Sequence, residues 1–310
     1  MKAFIRKLGI NERRGYMHSI IYTLFCGIHI LLTKIILYKT KIHFLALLSL
    51  SGSLLILMSF YRIFRSIKKY KAIKDKEKLL QIDFLQGIYS FISYAGLIAS
   101  LNWTSLTNVV FIIRLFPFIV MFNTFISDSK SIPAHYIYCF IIYIFCFLII
   151  FIPLLSSAHA PGIFLSLTSS IFKIISNKYW FQAKGIKVDI IVLNIGFHSA
   201  CIGGILMVVI YSKMEHISAL LWCLIILNAF TTYFMKIFFN KLIRNKTNNQ
   251  KLLFFNIIFL IIALPIDYFL FKESFGYYYL VLLCLSIDIF FFYKNEVKVI
   301  KNKKDNIDNY

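Results

Sequence analysis

Ten long apolar blocks constrain this chain more than any other feature of its sequence. Each is close to the length of about 20 apolar residues that crosses the hydrocarbon core of a bilayer. Apolar residues make up 60% of the chain, against about half in a soluble domain. The pattern predicts an all-α integral membrane protein with ten transmembrane helices. The blocks are residues 15–37, 42–61, 82–101, 105–126, 134–152, 160–179, 188–212, 218–240, 250–271 and 275–293.

The 34 Lys and Arg residues alternate between the two sides of the predicted helices. With the N-terminus inside, 26 of them fall on the inner side, four fall on the outer side and four lie within blocks. This bias follows the positive-inside rule and predicts that both termini are cytoplasmic. Although the net charge is +21, we expect the basic loops to contact anionic lipids of the bilayer and expect no nucleic-acid partner. We expect a multi-pass protein of a bacterial inner (plasma) membrane.

No motif for catalysis is present in the sequence. It lacks a P-loop, an H-E-x-x-H pair and a G-x-S-x-G elbow. All six Cys residues lie within apolar blocks and none forms a C-x-x-C pair, so we expect buried thiols rather than disulfides or a metal knuckle. We therefore predict no enzymatic activity, no catalytic residue, no metal site and no cofactor.

The two halves of the chain carry matching features. Each begins with a helix that has a late Lys, in "IHILLTK" (28–34) and "IFKIISNK" (171–178). Each places a Pro-containing block fourth, and we expect helix kinks at Pro117 and Pro265. Because five helices is an odd number, the second half is expected to sit inverted in the membrane relative to the first. The two predicted five-helix repeats are residues 1–153 and 154–310.

Three passages carry a pattern known from one family of transporters. They are "GLIASLNWTSLTNVVFIIRLFPFIV" (96–120), "LSLTSSIFKIISNKYW" (165–180) and "LPIDYFLFKESFGYYYLVLLCLSI" (264–287). In order, they resemble the third-to-fourth helix passage, the sixth helix, and the ninth and tenth helices of the drug/metabolite transporter superfamily, in its EamA-like branch. The resemblance implies secondary transport of a small-molecule substrate by alternating access. Members of that superfamily carry amino acids, nucleosides, S-adenosylmethionine, nucleotide sugars or sugar phosphates.

Charged residues inside the blocks are the first candidates for a site. A charge at the centre of a membrane helix costs at least about 2.5–3.5 kcal/mol, so such a residue is expected to face a water-filled cavity or a partner. Arg114, in "VVFIIRLFPFIV", either contacts a ligand or forms an ion pair with Asp267 or Asp288. Those two acids either pair with Arg114, Lys173 or Lys236, or carry a proton that couples transport.

Polar side chains recur at helical spacing on several blocks. Ser166, Ser170, Lys173 and Asn177 share one face of the sixth block. Because this face includes a charge, we favour a substrate pathway over bonding between helices. For His18, Tyr22, His29 and Thr33 on the first block we favour bonding between helices. The predicted substrate-binding residues are Arg114, Lys173, Ser170, Asn177, Asn108, Lys236, Asn194 and His198.

Two further patterns predict structural roles. Lys34 and Lys178 come late in their blocks, and we expect both side chains to snorkel to the headgroups. Gly196, Ala200 and Gly204 form a small-residue face, which predicts close packing within the bundle, with a homodimer contact as the alternative.

The balance of intramembrane charge favours one class of substrate. Three cations, Arg114, Lys173 and Lys236, exceed the two acids Asp267 and Asp288. We therefore predict a secondary transporter of a small polar metabolite, with anionic or zwitterionic compounds preferred. The alternative is a membrane scaffold or assembly protein that does not transport.

Overall fold

The computed structural model describes residues 10–40, 43–65, 76–113, 141, 144–145, 148–149, 152, 158–182, 188–210, 218–244 and 262–272. Within these residues every regular element is a helix. The helices are α1 (Ile10–Thr40), α2 (Phe44–Arg65), α3 (Lys76–Trp103), α4 (described over residues 106–113), α5 (Ala160–Gln182), α6 (Val188–Ile210), α7 (Ala219–Arg244) and α8 (Ile262–Phe271).

Five of these helices, α1, α2, α3, α6 and α7, are long and apolar enough to cross a membrane. Their apolar stretches coincide with five of the predicted blocks, because about 20 apolar residues in a helix match the thickness of the hydrocarbon core. Large apolar side chains point outward from the bundle, and Phe64, Val208 and Phe269 are 71–79% exposed. The prediction of an all-α, multi-pass membrane protein is confirmed for this part of the chain.

The helices pack mainly in three pairs: α1 against α7, α2 against α6, and α3 against α5. Each pair joins a helix that precedes residue 104 to one that follows residue 159. The two parts of the chain therefore interleave, and a single apolar cluster extends from α1 and α2 to α8. Fully buried members of this cluster include Ile36, Leu47, Ile98, Phe111 and Ala263.

Helices α2 and α6 cross at two glycines. A Cβ atom on Gly52 would lie 2.6 Å from the backbone N of Ala200 and 2.8 Å from the carbonyl O of Gly196. A Cβ atom on Gly196 would lie 2.9 Å from the carbonyl O of Gly52. Only glycine permits so close an approach of two backbones. The predicted packing of the Gly196, Ala200 and Gly204 face within the bundle is confirmed, and its partner is α2.

Candidate functional site

A break between α3 and α4, at residues 104–105, is closed from one side by Lys34 of α1. The Lys34 ammonium donates hydrogen bonds to the carbonyl oxygens of Leu101 (2.9 Å) and Thr104 (2.8 Å), at the end of α3. It also lies 5.7 Å from the centroid of the Phe271 ring. Only 7% of Lys34 is exposed. The predicted snorkelling of Lys34 is therefore wrong, because unpaired carbonyl groups at a buried helix end offer nearer acceptors than the headgroups. Lys178 is exposed, in agreement with its predicted snorkelling.

Asp267 of α8 closes the other side of the break. Its carboxylate accepts hydrogen bonds from the backbone N–H groups of Leu106 (3.2 Å) and Thr107 (2.5 Å) at the start of α4. Ser105 completes the cap: its Oγ accepts from the N–H of Asn108 (3.2 Å) and its carbonyl from Val109 (3.2 Å). The N–H groups of Leu106, Thr107 and Asn108, which have no acceptor within the helix, are thus all bound.

The two charges have the signs that the helix ends require. A helix carries partial negative charge at its C-terminus and partial positive charge at its N-terminus. Lys34 binds the C-terminal carbonyls of α3, and Asp267 binds the N-terminal amides of α4. We call Lys34, Asp267 and residues 101–108 the junction. Capping is a role for Asp267 that its position in an apolar block does not reveal, and its pairing with Arg114 stays a prediction.

A second group of charges contains Lys173 of α5 and Lys236 of α7. Their amino groups lie close enough to hydrogen-bond to each other and to interact electrostatically with the thiol of Cys26 on α1. The Lys173 ammonium lies 5.2 Å from the centroid of the Phe239 ring. Lys236 is 6% exposed. The structure thus brings together two of the predicted substrate-binding cations, from helices that are not sequence neighbours.

His29 of α1 lies close enough to the same two lysines to interact with them electrostatically. Its Nδ1 lies 2.7 Å from Oδ1 of Asn228 and 3.0 Å from Oγ1 of Thr232, both on α7. Because Asn228 Oδ1 can only accept, Nδ1 carries the proton and donates. The His29 ring stacks on Tyr94 with centroids 5.5 Å apart. We call Cys26, His29, Lys173 and Lys236 the lysine site.

A matching set of polar side chains joins α3 to α5. The Nε2 group of Gln86 donates to Oγ of Ser90 (2.8 Å), and the hydroxyls of Ser90 and Ser176 are 2.5 Å apart. Across the α1–α7 pair, Thr33 and Asn228 exchange hydrogen bonds of 3.3 and 3.4 Å. Bonding between helices, which we predicted for His29 and Thr33, is confirmed by these contacts.

The other predicted residues of α5 and α4 lie in two different surroundings. Ser170 donates to the carbonyl of Ser166 on its own helix (2.9 Å). Asn177 is 9% exposed, and its Oδ1 has no hydrogen-bond partner among the described residues. Asn108 belongs to the junction, where its side-chain amide donates to Oγ1 of Thr104 (3.0 Å).

The predicted residues of α6 face α3. The Nδ1–H of His198 donates to the carbonyl of Asn194 (2.8 Å), and its ring packs 5.4 Å from Phe84. The Asn194 side chain packs against Gly87, where an added Cβ would lie 2.6 Å from its Nδ2. Pro265 lies in α8 and is exposed. The predictions for Arg114, Pro117 and Asp288 fall outside the described residues.

The two carboxylates whose side chains are described make strong contacts away from the lysine site. Asp267 caps α4 at the junction. Asp189 accepts a hydrogen bond of 2.6 Å from the Tyr233 hydroxyl and lies 3.6 Å from Nε of Arg62. Arg62 also donates to the Tyr233 hydroxyl (3.2 Å), so this group ties the end of α2 to α6 and α7.

Several of these residues were not identified from the sequence. Gln86 and Ser90 repeat on α3 the amide and hydroxyl that Asn228 and Thr232 place four residues apart on α7. That repetition could have identified Gln86 and Ser90 from the sequence. Tyr94 has no such signal, because a Tyr in an apolar block looks the same whether it faces lipid or a polar site.

The structure therefore defines a helical, multi-pass membrane protein in which a buried lysine, Lys236, lies beside a partly buried one, Lys173. No protein-family model matches the chain, and no curated protein matches it. Fourteen chains of solved structures match it. One of them, described as "Crystal structure of protein", has 11% sequence identity and a TM-score of 0.55, over 86% of this chain and 95% of that chain. At this identity the likeness concerns the fold alone.

Proposed function

We propose that the protein is a secondary transporter of a small polar metabolite, anionic or zwitterionic by preference, that works by alternating access. In this proposal the chain is an EamA-like member of the drug/metabolite transporter superfamily, with ten helices in two inverted repeats, residues 1–153 and 154–310. It lies in a bacterial inner membrane with both termini cytoplasmic and has no enzymatic activity. The following features support the proposal.

The helix pairs have the pattern that an inverted repeat produces. A two-fold axis in the membrane plane that exchanges α1 with α5, α2 with α6, and α3 with α7 turns the α1–α7 pair into the α5–α3 pair. The same operation leaves the α2–α6 pair unchanged. These are the three main pairs among the helices that the structure describes, and the reciprocal contact of Gly52 with Gly196 is what such an axis requires.

Chemically similar residues stand at equivalent positions of the two repeats. Lys34 and Lys178 are 144 residues apart, as are Gly52 and Gly196. The amide side chains of Gln86 and Asn228 are 142 residues apart, and so are the hydroxyls of Ser90 and Thr232. Each amide–hydroxyl pair bonds across to the partner helix of its own pair. The polar residues thus support the same two-fold relation as the packing.

The lysine site is the observation that carries the proposal. Two lysine side chains close together in a membrane interior are costly, because an ammonium group is poorly solvated there and a second positive charge would repel it. Charges that bear such a cost usually lie on a substrate or ion pathway. In inverted-repeat transporters that pathway has its binding site near the midplane, between the repeats. Lys173 and Lys236 belong to different helices, so movement between those helices changes the site.

The proposal is tested by the water accessibility of α5. Single cysteines replace Ser170 or Asn177 in a protein without its native cysteines, reconstituted in vesicles and treated from either side with a membrane-impermeant maleimide. Alternating access predicts labelling of both positions from each side, in different states. Ile171, which is 53% exposed on the outer surface of the bundle, provides the matched control, and Ile171→Cys should stay unlabelled in lipid.

Protection of Ser170→Cys and Asn177→Cys from both sides would overturn the transport proposal. It would favour the non-transporting scaffold, in which polar residues serve only to hold helices together. Labelling from one side alone, in every condition, would also contradict alternating access.

A further inference from the structure

The hydrogen bond between the two amino groups of the lysine site constrains their charge. The side chains of Lys173 and Lys236 bond to each other. An ammonium group has three donors and no acceptor, so two ammonium groups cannot form such a bond. One of the two amino groups is therefore a neutral amine, whose lone pair accepts a hydrogen from the other. We call Lys173 and Lys236 the lysine pair, and this bond gives the pair room for one more proton.

Other titratable side chains surround the lysine pair. Cys26 of α1 interacts electrostatically with both lysines, and its thiol bonds in turn to the hydroxyl of Tyr22. His29 of α1 also interacts with both lysines. Because a thiol, a phenol and an imidazole are mostly uncharged at neutral pH, the charge of this group of side chains depends chiefly on the lysine pair.

The lysine pair has a counterpart in the other proposed repeat. Lys173 lies 144 residues after His29, and Lys236 lies 142 residues after Tyr94. These are the offsets that relate α1 to α5 and α3 to α7 in the two-fold relation proposed above. His29 stacks on Tyr94, with ring centroids 5.5 Å apart, just as Lys173 bonds to Lys236. The two-fold relation thus carries one contact onto the other, and since His29 also interacts with both lysines, its axis passes between the two pairs.

A neutral amine at this axis is suited to bind a proton that moves with the transport cycle. In inverted-repeat transporters the sites for coupling ions lie between the repeats, where access changes from one side to the other. Ionisable residues inside a membrane are typical of proton relays. A metal cation fits less well, because the remaining ammonium group would repel it.

We propose that the lysine pair binds the proton that is coupled to transport. The neutral amine takes up one proton from water on one side of the membrane and becomes an ammonium group. The hydrogen bond between α5 and α7 then breaks, because neither lysine can accept it, and the proton returns to water after the site has opened to the other side. The inference rests on the proposed transport function and names its coupling ion.

Solid-state NMR of the full-length protein in lipid vesicles, with ¹⁵N at the lysine side chains, measures this proton directly. Neutral amines and ammonium groups have different ¹⁵N chemical shifts, and an ordinary lysine is an ammonium below about pH 9. We expect a signal from one neutral amine per protein at about pH 8, which converts to an ammonium signal by about pH 5.

Three variants assign the neutral amine. The signal should be lost in Lys173→Met and in Lys236→Met, because the lysine that remains keeps the proton that the pair shared. It should be retained in Lys241→Met, the matched control, because Lys241 lies on the same helix as Lys236 but is exposed. Since each lysine of the pair has its own variant, the assignment does not depend on either variant alone.

The coupling of this proton to the transport cycle is measured with Ser170→Cys, in the protein without native cysteines and treated with the maleimide from either side. The ratio of labelling from the two sides at one pH does not depend on the reactivity of the thiol. One proton changes an equilibrium by up to about tenfold per pH unit, so we expect the ratio to change at least about fivefold between about pH 8 and about pH 5. Lys236→Met should remove this change, and Lys241→Met should keep it.

The outcomes separate this inference from the transport proposal. If Ser170→Cys is labelled from both sides in a ratio that does not depend on pH, alternating access stands and the inference is wrong. If the neutral amine titrates but Ser170→Cys is protected from both sides, the lysine pair binds a proton, and transport, with the coupling role, is wrong. Ammonium signals alone at about pH 8, or a neutral signal that survives in Lys173→Met or Lys236→Met, would overturn the inference.

Discussion

The junction and the lysine site both place lysine side chains between membrane helices, but they surround them differently. At the junction, Lys34 and Asp267 each bind a helix end of opposite partial charge, and the amides and carbonyls of the break are bound. At the lysine site, two lysine side chains lie together, and Nε2 of the neighbouring His29 has no hydrogen-bond partner among the described residues. The first arrangement is complete and holds the fold together. The second is the arrangement that we propose as a site for a ligand.

The largest expected loss of unfolding free energy comes from a substitution at the junction. Asp267→Ala removes the acceptor for the N–H groups of Leu106 and Thr107, both fully buried or nearly so. Leaving two buried donors unbound should lower the free energy of unfolding by about 3 kcal/mol. Thermal unfolding of the purified protein in detergent, followed by tryptophan fluorescence, measures the loss.

Asp267→Asn is the matched control, because its Oδ1 still accepts from one of the two amides. It should lose about half as much free energy of unfolding as Asp267→Ala. If Asp267→Ala unfolds at the same temperature as the parent protein, the junction is not a structural cap and the comparison fails.

Two glycines at the α2–α6 crossing differ in how tightly they are packed, without any charge being involved. A methyl group on Gly52 would meet backbone atoms of Ala200 and Gly196 at 2.6–2.8 Å, whereas one on Gly204 would meet only Oγ of Ser49, at 3.4 Å. Gly52→Ala should therefore destabilise by about 2 kcal/mol, as overpacking does, and Gly204→Ala by less than about 0.5 kcal/mol. Chemical unfolding of both variants side by side measures the difference, and equal losses would show that this crossing is not tight.

The sequence predicted the two arrangements unequally, for physical reasons. Lys173 and Lys236 could be identified because a charge inside an apolar block is costly and so rarely accidental. The junction could not, because "LNWTSL" (101–106) contains neither Pro nor Gly to indicate a helix break. The Lys34 bonds, in turn, join residues 67 and 70 positions apart.

The fold, too, could be predicted only in part from the sequence. Block length and polarity predict each membrane helix, since both are properties of one segment and the bilayer. Which face of α1 meets α7 depends on how the helices are rotated against one another. That rotation decides whether His29 bonds only within the bundle or also presents an acceptor, and helical spacing alone does not determine it.

Replacing a lysine of the lysine site should change the free energy of unfolding only slightly, and in the stabilising direction. Lys173→Met replaces the side chain by an apolar one that is shorter by one atom, and it removes the charge and the interaction with Lys236. The free energy of unfolding should stay constant or rise by about 1 kcal/mol, as when other buried charges are replaced by apolar residues. Lys34→Met, the same substitution at the junction, should destabilise. Thermal unfolding without ligand compares the two, and a large loss with Lys173→Met would make that lysine structural.

The smallest expected change in the free energy of unfolding concerns the hydrogen bond that caps the start of α2, outside the membrane spans. The N–H of Leu45, in the first turn of α2, donates to Nδ1 of His43 (3.3 Å), which requires a neutral ring. Burial lowers the pKa of His43 from its ordinary value of 6.5, in the same direction. This stabilisation is therefore present above about pH 6.5 and is lost as the pH falls through the lowered pKa.

His43→Asn supplies an acceptor that does not titrate. Relative to this variant, the parent protein should lose about 0.5 kcal/mol of unfolding free energy between roughly pH 8 and roughly pH 5, the low end for one hydrogen bond. Parallel pH dependence of the two proteins would show that His43 does not cap α2 through Nδ1.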